Sequence, residues 1–138
     1  MSVNLIKLCV GVDSVEDLAD SQTRRLKTMH ENGEKNPELR HVTRNTPRRA
    51  AEVLDGGSLY WVIRRVIQVR QRITGLEKVE REDGKPACAI MLAPELIRTH
   101  PRSFRPFQGW RYFPTSDVPA DLPPDFDIKG AIPVEMAD

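Results

Sequence analysis

The chain has 138 residues, of which 39% are hydrophobic and 30% are charged, and its formal net charge is +1. This length can bury a core without disulfides or metals, and no stretch approaches the roughly 20 apolar residues of a membrane helix. The short apolar start is interrupted by Lys7 and lacks a small-x-small cleavage site, so it does not match a signal peptide. We therefore expect a cytoplasmic protein with no membrane partner.

The charge is unevenly distributed. Residues 40–111 contain 15 basic and 7 acidic residues, whereas residues 1–39 and 112–138 are both net acidic. Arginine outnumbers lysine 15 to 6, and the planar guanidinium group suits bidentate contacts to phosphate. The basic middle of the chain indicates a nucleic-acid partner. The alternative explanation is that these arginines are ordinary solvated residues whose number reflects genomic base composition.

The first elements are predicted to be a strand and a helix. Residues 5–10 form an apolar run typical of a buried strand. A helix over residues 14–32 follows, because Ser14 with Asp17 three positions later resembles a capping box and Asn32 precedes a glycine.

A short strand at residues 41–44 and a short helix at residues 48–54 come next. Pro47 can open this helix at its first turn. Arg48 and Arg49 then lie in the first turn, where positive charge opposes the helix dipole unless an anion binds there. Alternatively, the Arg48 and Arg49 side chains bend away into solvent.

Residues 58–73 are the centre of the predicted sheet. Most of their apolar residues are β-branched, which favours strands over helix. A single strand of sixteen residues would span roughly 50 Å, too long for this domain. We therefore predict two strands, 58–64 and 66–73, separated by a bulge or bend at Arg64 and Arg65.

A meander continues this sheet. Asp83 and Gly84 form the dipeptide that favours a tight hairpin turn, and residues 87–92 are almost wholly apolar, as in an interior strand. Residues 94–97 are expected to form a short turn or helical piece.

Residues 102–113 have the most unusual composition. Five of the eight aromatic residues lie here, with Arg102, Arg105 and Arg111 between them. Aromatic rings that stack on bases, next to guanidinium groups that contact phosphates, are typical of single-stranded nucleic-acid surfaces. The same composition also suits a loop that folds over an open end of the sheet and closes the core.

Residues 1–113 are predicted to form a single domain, and residues 114–138 a proline-rich acidic tail that wraps it. Cys9 and Cys88 each lie in an apolar strand, which indicates buried thiols in a reducing compartment rather than a disulfide.

Motifs for metal or cofactor chemistry are not found. The three histidines do not have zinc-ligand spacing, and the chain has neither a phosphate-cradling glycine loop nor a nucleophile elbow. We expect no metal and no cofactor. A small-ligand or enzyme site near His41, Tyr60 and Arg44 is the catalytic alternative.

Four blocks of the sequence carry a resemblance to known families: residues 4–12, 56–63, 69–73 and 105–112. They resemble a family of short bacterial proteins catalogued only as a domain of unknown function, and this resemblance implies no activity. Tyr60 to Ile63 and Arg70 to Ile73 are also distantly similar to PUA-like domains of the ASCH and EVE branches. That likeness implies a barrel that binds RNA or modified bases.

We therefore predict an α+β fold with a curved antiparallel or mixed sheet, PUA-like if it closes into a barrel, and with one longer N-terminal helix and one short helix. The leading functional hypothesis is a non-catalytic RNA-binding module. The alternatives are a protein-interaction module that pairs with a second copy of the chain, and the ligand site above. The nucleic-acid-binding residues would be Arg44, Arg48, Arg49, Arg64, Arg70 and Arg72 for phosphates, with Trp110 or Tyr112 for stacking.

Overall fold

The computed structural model describes residues 2–123. Two helices and seven strands follow one another in chain order: β1 (Val3–Leu8), α1 (Val15–Glu31), β2 (Leu39–Thr43), α2 (Ala50–Leu54), β3 (Ser58–Ile63), β4 (Val66–Glu80), β5 (Pro86–Leu92), β6 (Ile97–Ser103) and β7 (Trp110–Pro114). A 3-10 helix, Thr115–Asp117, comes after β7. Among the described residues, neither α1 nor α2 is long and apolar enough to cross a membrane.

The seven strands form one mixed sheet in the order β2-β5-β4-β3-β1-β7, with β6 paired to β4 beside this path. β1 and β3 are parallel, and the other pairs are antiparallel. The indole nitrogen of Trp110 on β7 reaches the loop after β2 and donates a hydrogen bond to the Asn45 carbonyl oxygen. The sheet therefore curls until its two edge strands approach without pairing. The predicted α+β class and curved mixed sheet are confirmed, and the barrel is not closed.

Helix α1 begins as its sequence predicts. The Ser14 hydroxyl accepts a hydrogen bond from the Asp17 amide at 3.0 Å, and this cap satisfies one of the unpaired first-turn donors. The inward face of the helix buries Val15, Leu18 and Gln22 against the sheet. The short helix α2 begins two residues later than predicted.

The break between β3 and β4 is a hairpin turn rather than the expected bulge or bend. Arg64 and Arg65 have φ angles of 52° and 68° and are both exposed. Positive φ at both central residues gives a turn whose twist matches that of the flanking strands, so β3 folds directly back onto β4. β3 itself is buried along its whole length.

β4 is longer than predicted and continues to Glu80. Its first half pairs with β3 and β6, and its second half pairs with β5 after a register shift between Ile73 and Gly75. The second half is polar and partly exposed, so it lacks the apolar run that marks the first half. The expected end at residue 73 is therefore wrong.

β5 lies between β2 and β4, and residues 87–92 are buried, so the predicted interior strand is confirmed. Gly84 has a φ of 80° in the hairpin turn that precedes it. Residues 94–97 were expected to form a short turn or helical piece, and they contain a bend at Pro94 and no helix. The chain passes through an irregular segment and enters β6 at Ile97.

The sheet buries apolar side chains on both faces. The inner face and α1 form the larger core, which includes Leu59, Trp61 and Ile90. The outer face of β1, β3 and β7 carries a smaller cluster around Tyr60 and Phe113, covered by Phe104, Phe107 and Val118. The predicted strand at 5–10 is shifted, because Val10 is 85% exposed and β1 ends at Leu8.

Residues 114–123 lie on the body of the domain. Asp121 forms an isolated bridge with Thr99, and the Leu122 amide donates to the Arg98 carbonyl oxygen at 2.8 Å. The remainder of the predicted tail, residues 124–138, lies outside the described residues. Cys9 and Cys88 are both free thiols.

Candidate nucleic-acid interface

The gap between the two edge strands, β2 and β7, contains an open cavity of about 530 Å³. We call this gap the seam. Strands β1 and β7 supply one wall, and the end of β2 with the following loop supplies the other. The cavity is lined by Lys7, Val42, Thr43, Arg44, Asn45, Gln108, Gly109 and Trp110.

Pairing between β1 and β7 places Trp110 in the seam. Trp110 lies opposite Lys7 in this antiparallel ladder, so the two side chains share the inner face of the sheet. The Trp110 indole nitrogen donates to the Asn45 carbonyl oxygen at 2.9 Å, which fixes the ring against the loop after β2. The ring remains partly exposed. It is therefore an oriented aromatic surface at the edge of the groove.

Tyr112 holds the start of α2 against β7. Its hydroxyl accepts a hydrogen bond from the Arg49 amide at 3.0 Å, and the Arg49 guanidinium lies 5.3 Å from the centre of its ring. The other neighbour of the Tyr112 ring is Trp110, with 5.0 Å between ring centres. Because its ring contacts both neighbours, Tyr112 supports the seam rather than offering a free stacking face.

Arg44 and Arg48 are exposed on the loop that Tyr112 and Trp110 hold in place. Arg49 is the residue that precedes α2, and it forms an ion pair with Glu52, whose carboxylate accepts two hydrogen bonds at 2.8 Å. The charge of Arg49 at the start of this helix is thus compensated by Glu52, and Arg48 lies before the helix rather than in its first turn. Arg44 is the member of this group that lines the seam cavity.

Lys7 also lines a second, smaller cavity of about 180 Å³, which extends toward α1. Arg25, Arg40 and His41 lie in the wall of this cavity. Within residues 2–123, the linings of the two cavities include four basic residues, Lys7, Arg25, Arg40 and Arg44, and no acidic one. The seam is therefore electropositive, although the whole chain is nearly neutral.

Titration of the groups around the second cavity reflects its burial and its positive charge. Burial lowers the pKa of His41 to about 4, and the positive charges of Lys7 and Arg25 lower it further. Burial raises the pKa of the Cys9 thiol to about 11, against the opposing effect of the same two cations. His41 is thus neutral and Cys9 is protonated at neutral pH. Desolvation also lowers the pKa of Lys7.

Arg64 and Arg65 lie in the turn at the end of β3. Because β1 and β3 are parallel, with Leu8 opposite Val62, this turn lies at the same end of the sheet as Lys7 and Trp110. Arg64 is exposed and forms no ion pair among residues 2–123. It is outside the seam cavity.

Arg70 and Arg72 lie on the outer face of β4, away from the seam. The Arg70 guanidinium donates to both carboxylate oxygens of Asp121 at 2.8 and 2.7 Å and to the Ser58 hydroxyl at 2.8 Å. These contacts raise the pKa of Arg70 and lower that of Asp121, chiefly through their hydrogen bonds. Arg72 is exposed on the same face. The structure therefore does not bring these two arginines together with Trp110.

His41 and Tyr60 do not share a cavity among residues 2–123. His41 packs its ring edge-on against Trp61 on the inner face, whereas Tyr60 packs against Phe113 on the outer face. The sheet separates the two side chains. Residues 2–123 also contain no group of three or more His, Cys, Asp or Glu side chains that could hold a metal ion.

Lys7, Asn45 and Gln108 line the seam but were not among the candidate residues from the sequence. Lys7 could have been identified from the sequence, because it is a single charge inside an apolar strand and must reach an opening of the core. Asn45 and Gln108 could not have been identified, since nothing local in the sequence indicates that β2 and β7 approach each other.

Comparison with known proteins confirms the resemblance to a family of unknown function. No curated protein and no solved structure matches the chain at a significant level, so the PUA-like likeness stays a prediction from sequence. A family model described as "Protein of unknown function (DUF1489)" matches residues 5–138, nearly the whole chain. The chain belongs to this family.

Proposed function

We propose that the protein is a non-catalytic module that binds single-stranded nucleic acid, RNA in the first place, along the seam. One observation carries the proposal. An oriented, partly exposed tryptophan lies beside two adjoining cavities whose described linings contain four basic residues and no acidic one. Single-stranded nucleic-acid sites combine such a positive groove with aromatic rings on which bases stack.

The groups in the seam divide into three roles. The Trp110 ring supplies a stacking surface for one base. Lys7 and Arg44 lie on opposite walls and can contact the phosphates on either side of that base. The amide side chains of Asn45 and Gln108 line the same groove and offer donors and acceptors to base edges.

The other candidate arginines are expected to contribute less to phosphate binding. Arg48 and Arg64 are exposed but line neither cavity of the seam, so they would contact only the phosphates of a longer strand. Arg49 and Arg70 are paired with Glu52 and Asp121, so phosphate would have to compete with a carboxylate. The sequence likeness to PUA-like domains agrees with RNA as the ligand, by analogy alone.

Fluorescence anisotropy with a labelled single-stranded RNA of about 12 nucleotides tests the proposal, because sites of this kind cover about 4–16 nucleotides. We expect affinity to fall as salt increases, with a slope of about 0.7 per phosphate contact. Replacing Lys7 and Arg44 together by Gln should lower this slope by about 1.4. The effect should not depend on RNA sequence, since phosphate contacts carry no sequence information.

Arg24→Gln is the matched control. Arg24 is an exposed arginine on α1 and does not line either cavity of the seam. Its replacement should leave the slope within error of the unmodified chain. Binding that is flat with salt, or equal losses in the control and in the double variant, would rule out the seam as the binding site.

A further inference from the structure

A third cavity lies between α1 and β6. Its volume is about 650 Å³, within the range of small-molecule sites. Most of its wall is apolar, with Leu26 on α1, Leu39 on β2 and Leu96 just before β6. Residues 121–123 close one side. The cavity does not include any residue of the seam groove around Trp110.

Arg98 is the unusual group in this wall. It pairs with Val69 across β4 and β6, so its side chain lies on the inner face of the sheet. Its Nε and Nη1 atoms are buried and have no hydrogen-bond partner among the described residues. A guanidinium group withdrawn from water without partners is unfavourable, because neither water nor an anion offsets its desolvation.

The neighbouring carboxylates do not accept hydrogen bonds from Arg98. Asp121 lines the same cavity, but both of its oxygens accept hydrogen bonds from Arg70. Glu95 lies at the rim and is exposed, and it forms no ion pair with Arg98 within residues 2–123. Two donor nitrogens of one cation are therefore without an acceptor within residues 2–123, and the Arg98 side chain must turn toward the cavity to offer them to a ligand.

We propose that this cavity binds a small amphipathic carboxylic acid. The carboxylate would accept hydrogen bonds from Arg98, and the apolar part would pack against Leu26, Leu39 and Leu96. The mixture of a mostly apolar wall with one convergent charged donor is typical of sites for such ligands. The site shares Gln22 and Leu39 with the smaller cavity of the seam but does not use Lys7, Arg44 or Trp110, so different variants test the two proposals.

Calorimetric titration of the full chain with octanoate, compared with 1-octanol, tests the proposal without any substitution. The two probes share an apolar chain and differ in the anionic group. We expect octanoate to bind at one site, about tenfold or more tighter than octanol, because a charge-assisted hydrogen bond contributes at least this much. Equal affinity for the two probes, or no saturable octanoate binding, overturns the proposal.

Arg98→Met identifies the donor. It keeps the apolar stem and removes the charge, so octanoate affinity should fall about tenfold or more while octanol affinity stays unchanged. Without ligand, the variant should melt at a higher temperature, because it no longer leaves two buried donor nitrogens without partners. Unchanged octanoate affinity in this variant would contradict the assignment.

Two further variants complete the test. Arg102→Met is the matched control, since Arg102 lies on the same strand and donates to the Asp117 carbonyl oxygen outside the cavity. It should leave octanoate binding unchanged. Leu26→Trp fills the cavity and should abolish binding of both probes. Retained octanoate binding in Leu26→Trp would place the ligand elsewhere.

Discussion

Trp61 and Gln71 are joined by a hydrogen bond inside the core, where the indole nitrogen donates to the Gln71 side-chain oxygen at 2.9 Å. Gln71 is fully buried, yet each polar atom of its side chain has a partner. Its oxygen also accepts from Gln22 on α1, and its nitrogen donates to Gln22 and to the Ala93 carbonyl oxygen. One amide therefore ties α1, β3, β4 and the exit of β5 together.

Gln71→Leu should destabilise the fold by about 2–4 kcal/mol, because it leaves several buried polar groups without partners at once. Urea unfolding followed by circular dichroism measures this loss. Gln68→Leu is the matched control on the same strand, since Gln68 makes a single hydrogen bond to the Ile63 carbonyl oxygen. It should cost about 1 kcal/mol or less. Similar losses in both variants would show that the Gln71 hydrogen bonds contribute no more to stability than the single hydrogen bond of Gln68.

His41 should make stability depend on pH. Its folded pKa of about 4 lies below the ordinary value of 6.5, because of burial first and then of Lys7 and Arg25. Between these two values the unfolded chain binds a proton that the folded chain does not, so stability falls as pH falls from about 6.5 toward 4. Allowing for its partial exposure, we expect a loss of about 1–3 kcal/mol.

Urea unfolding at pH 7 and pH 5 measures this dependence. His41→Phe keeps an aromatic ring against Trp61 and should remove most of the difference between the two pH values. His100 is exposed and supplies the control, because His100→Gln should leave the difference intact. The assignment to His41 fails if His41→Phe has the pH dependence of the unmodified chain.

Gly57 should be intolerant of any side chain. A Cβ atom at this position would collide with the backbone oxygens of Val3 and Val53, which cannot move as a flexible side chain can. We expect Gly57→Ala to cost about 3 kcal/mol. Gly75→Ala is the control, since its Cβ would meet only the side chain of Met91, at 3.3 Å. Thermal melts of the two variants should differ by several degrees, and equal melting temperatures would contradict the close approach at Gly57.

Trp110 should report ligand binding through its fluorescence. The chain has two tryptophans, and Trp61 is only 4% exposed, so a base can stack on Trp110 alone. Titration with single-stranded RNA should quench part of the emission, and Trp110→Phe should abolish this quenching. Trp110→Ala should also weaken binding, because base stacking contributes about 1–3 kcal/mol. Quenching that persists in the variant would contradict stacking on Trp110.

Much of the fold was predictable because its signals are local. The β-branched residues of β3 and the Ser14 cap of α1 act within a few positions of themselves, and both predictions are confirmed. The second half of β4 was missed because Glu77 and Lys78 are exposed and break the apolar pattern, although pairing with β5 holds this half in the sheet. The break at Arg64 and Arg65 was predicted as a bulge or bend, and the hairpin turn was not, because it requires a positive φ that is uncommon for arginine.

The seam was less predictable than the fold. It depends on the approach of β2 and β7, which are more than 60 positions apart in the chain, as the hydrogen bond between Trp110 and Asn45 shows. Composition identified the aromatic segment, and the alternation of Trp110 and Tyr112 with Arg111 and Phe113 places the first two inward. The pairing of Arg70 with Asp121 depends on a contact between β4 and residues after β7 that local patterns do not encode.

Photo-crosslinking of a single-stranded RNA that contains 4-thiouridine, followed by mass spectrometry of tryptic peptides, tests the seam most directly. The account predicts crosslinks in the peptides that cover residues 41–44 and 103–111, which carry Arg44 and Trp110. Excess salt should suppress them. Crosslinks confined to the outer face of β4 around Arg70 and Arg72, or none above a duplex control, would contradict it.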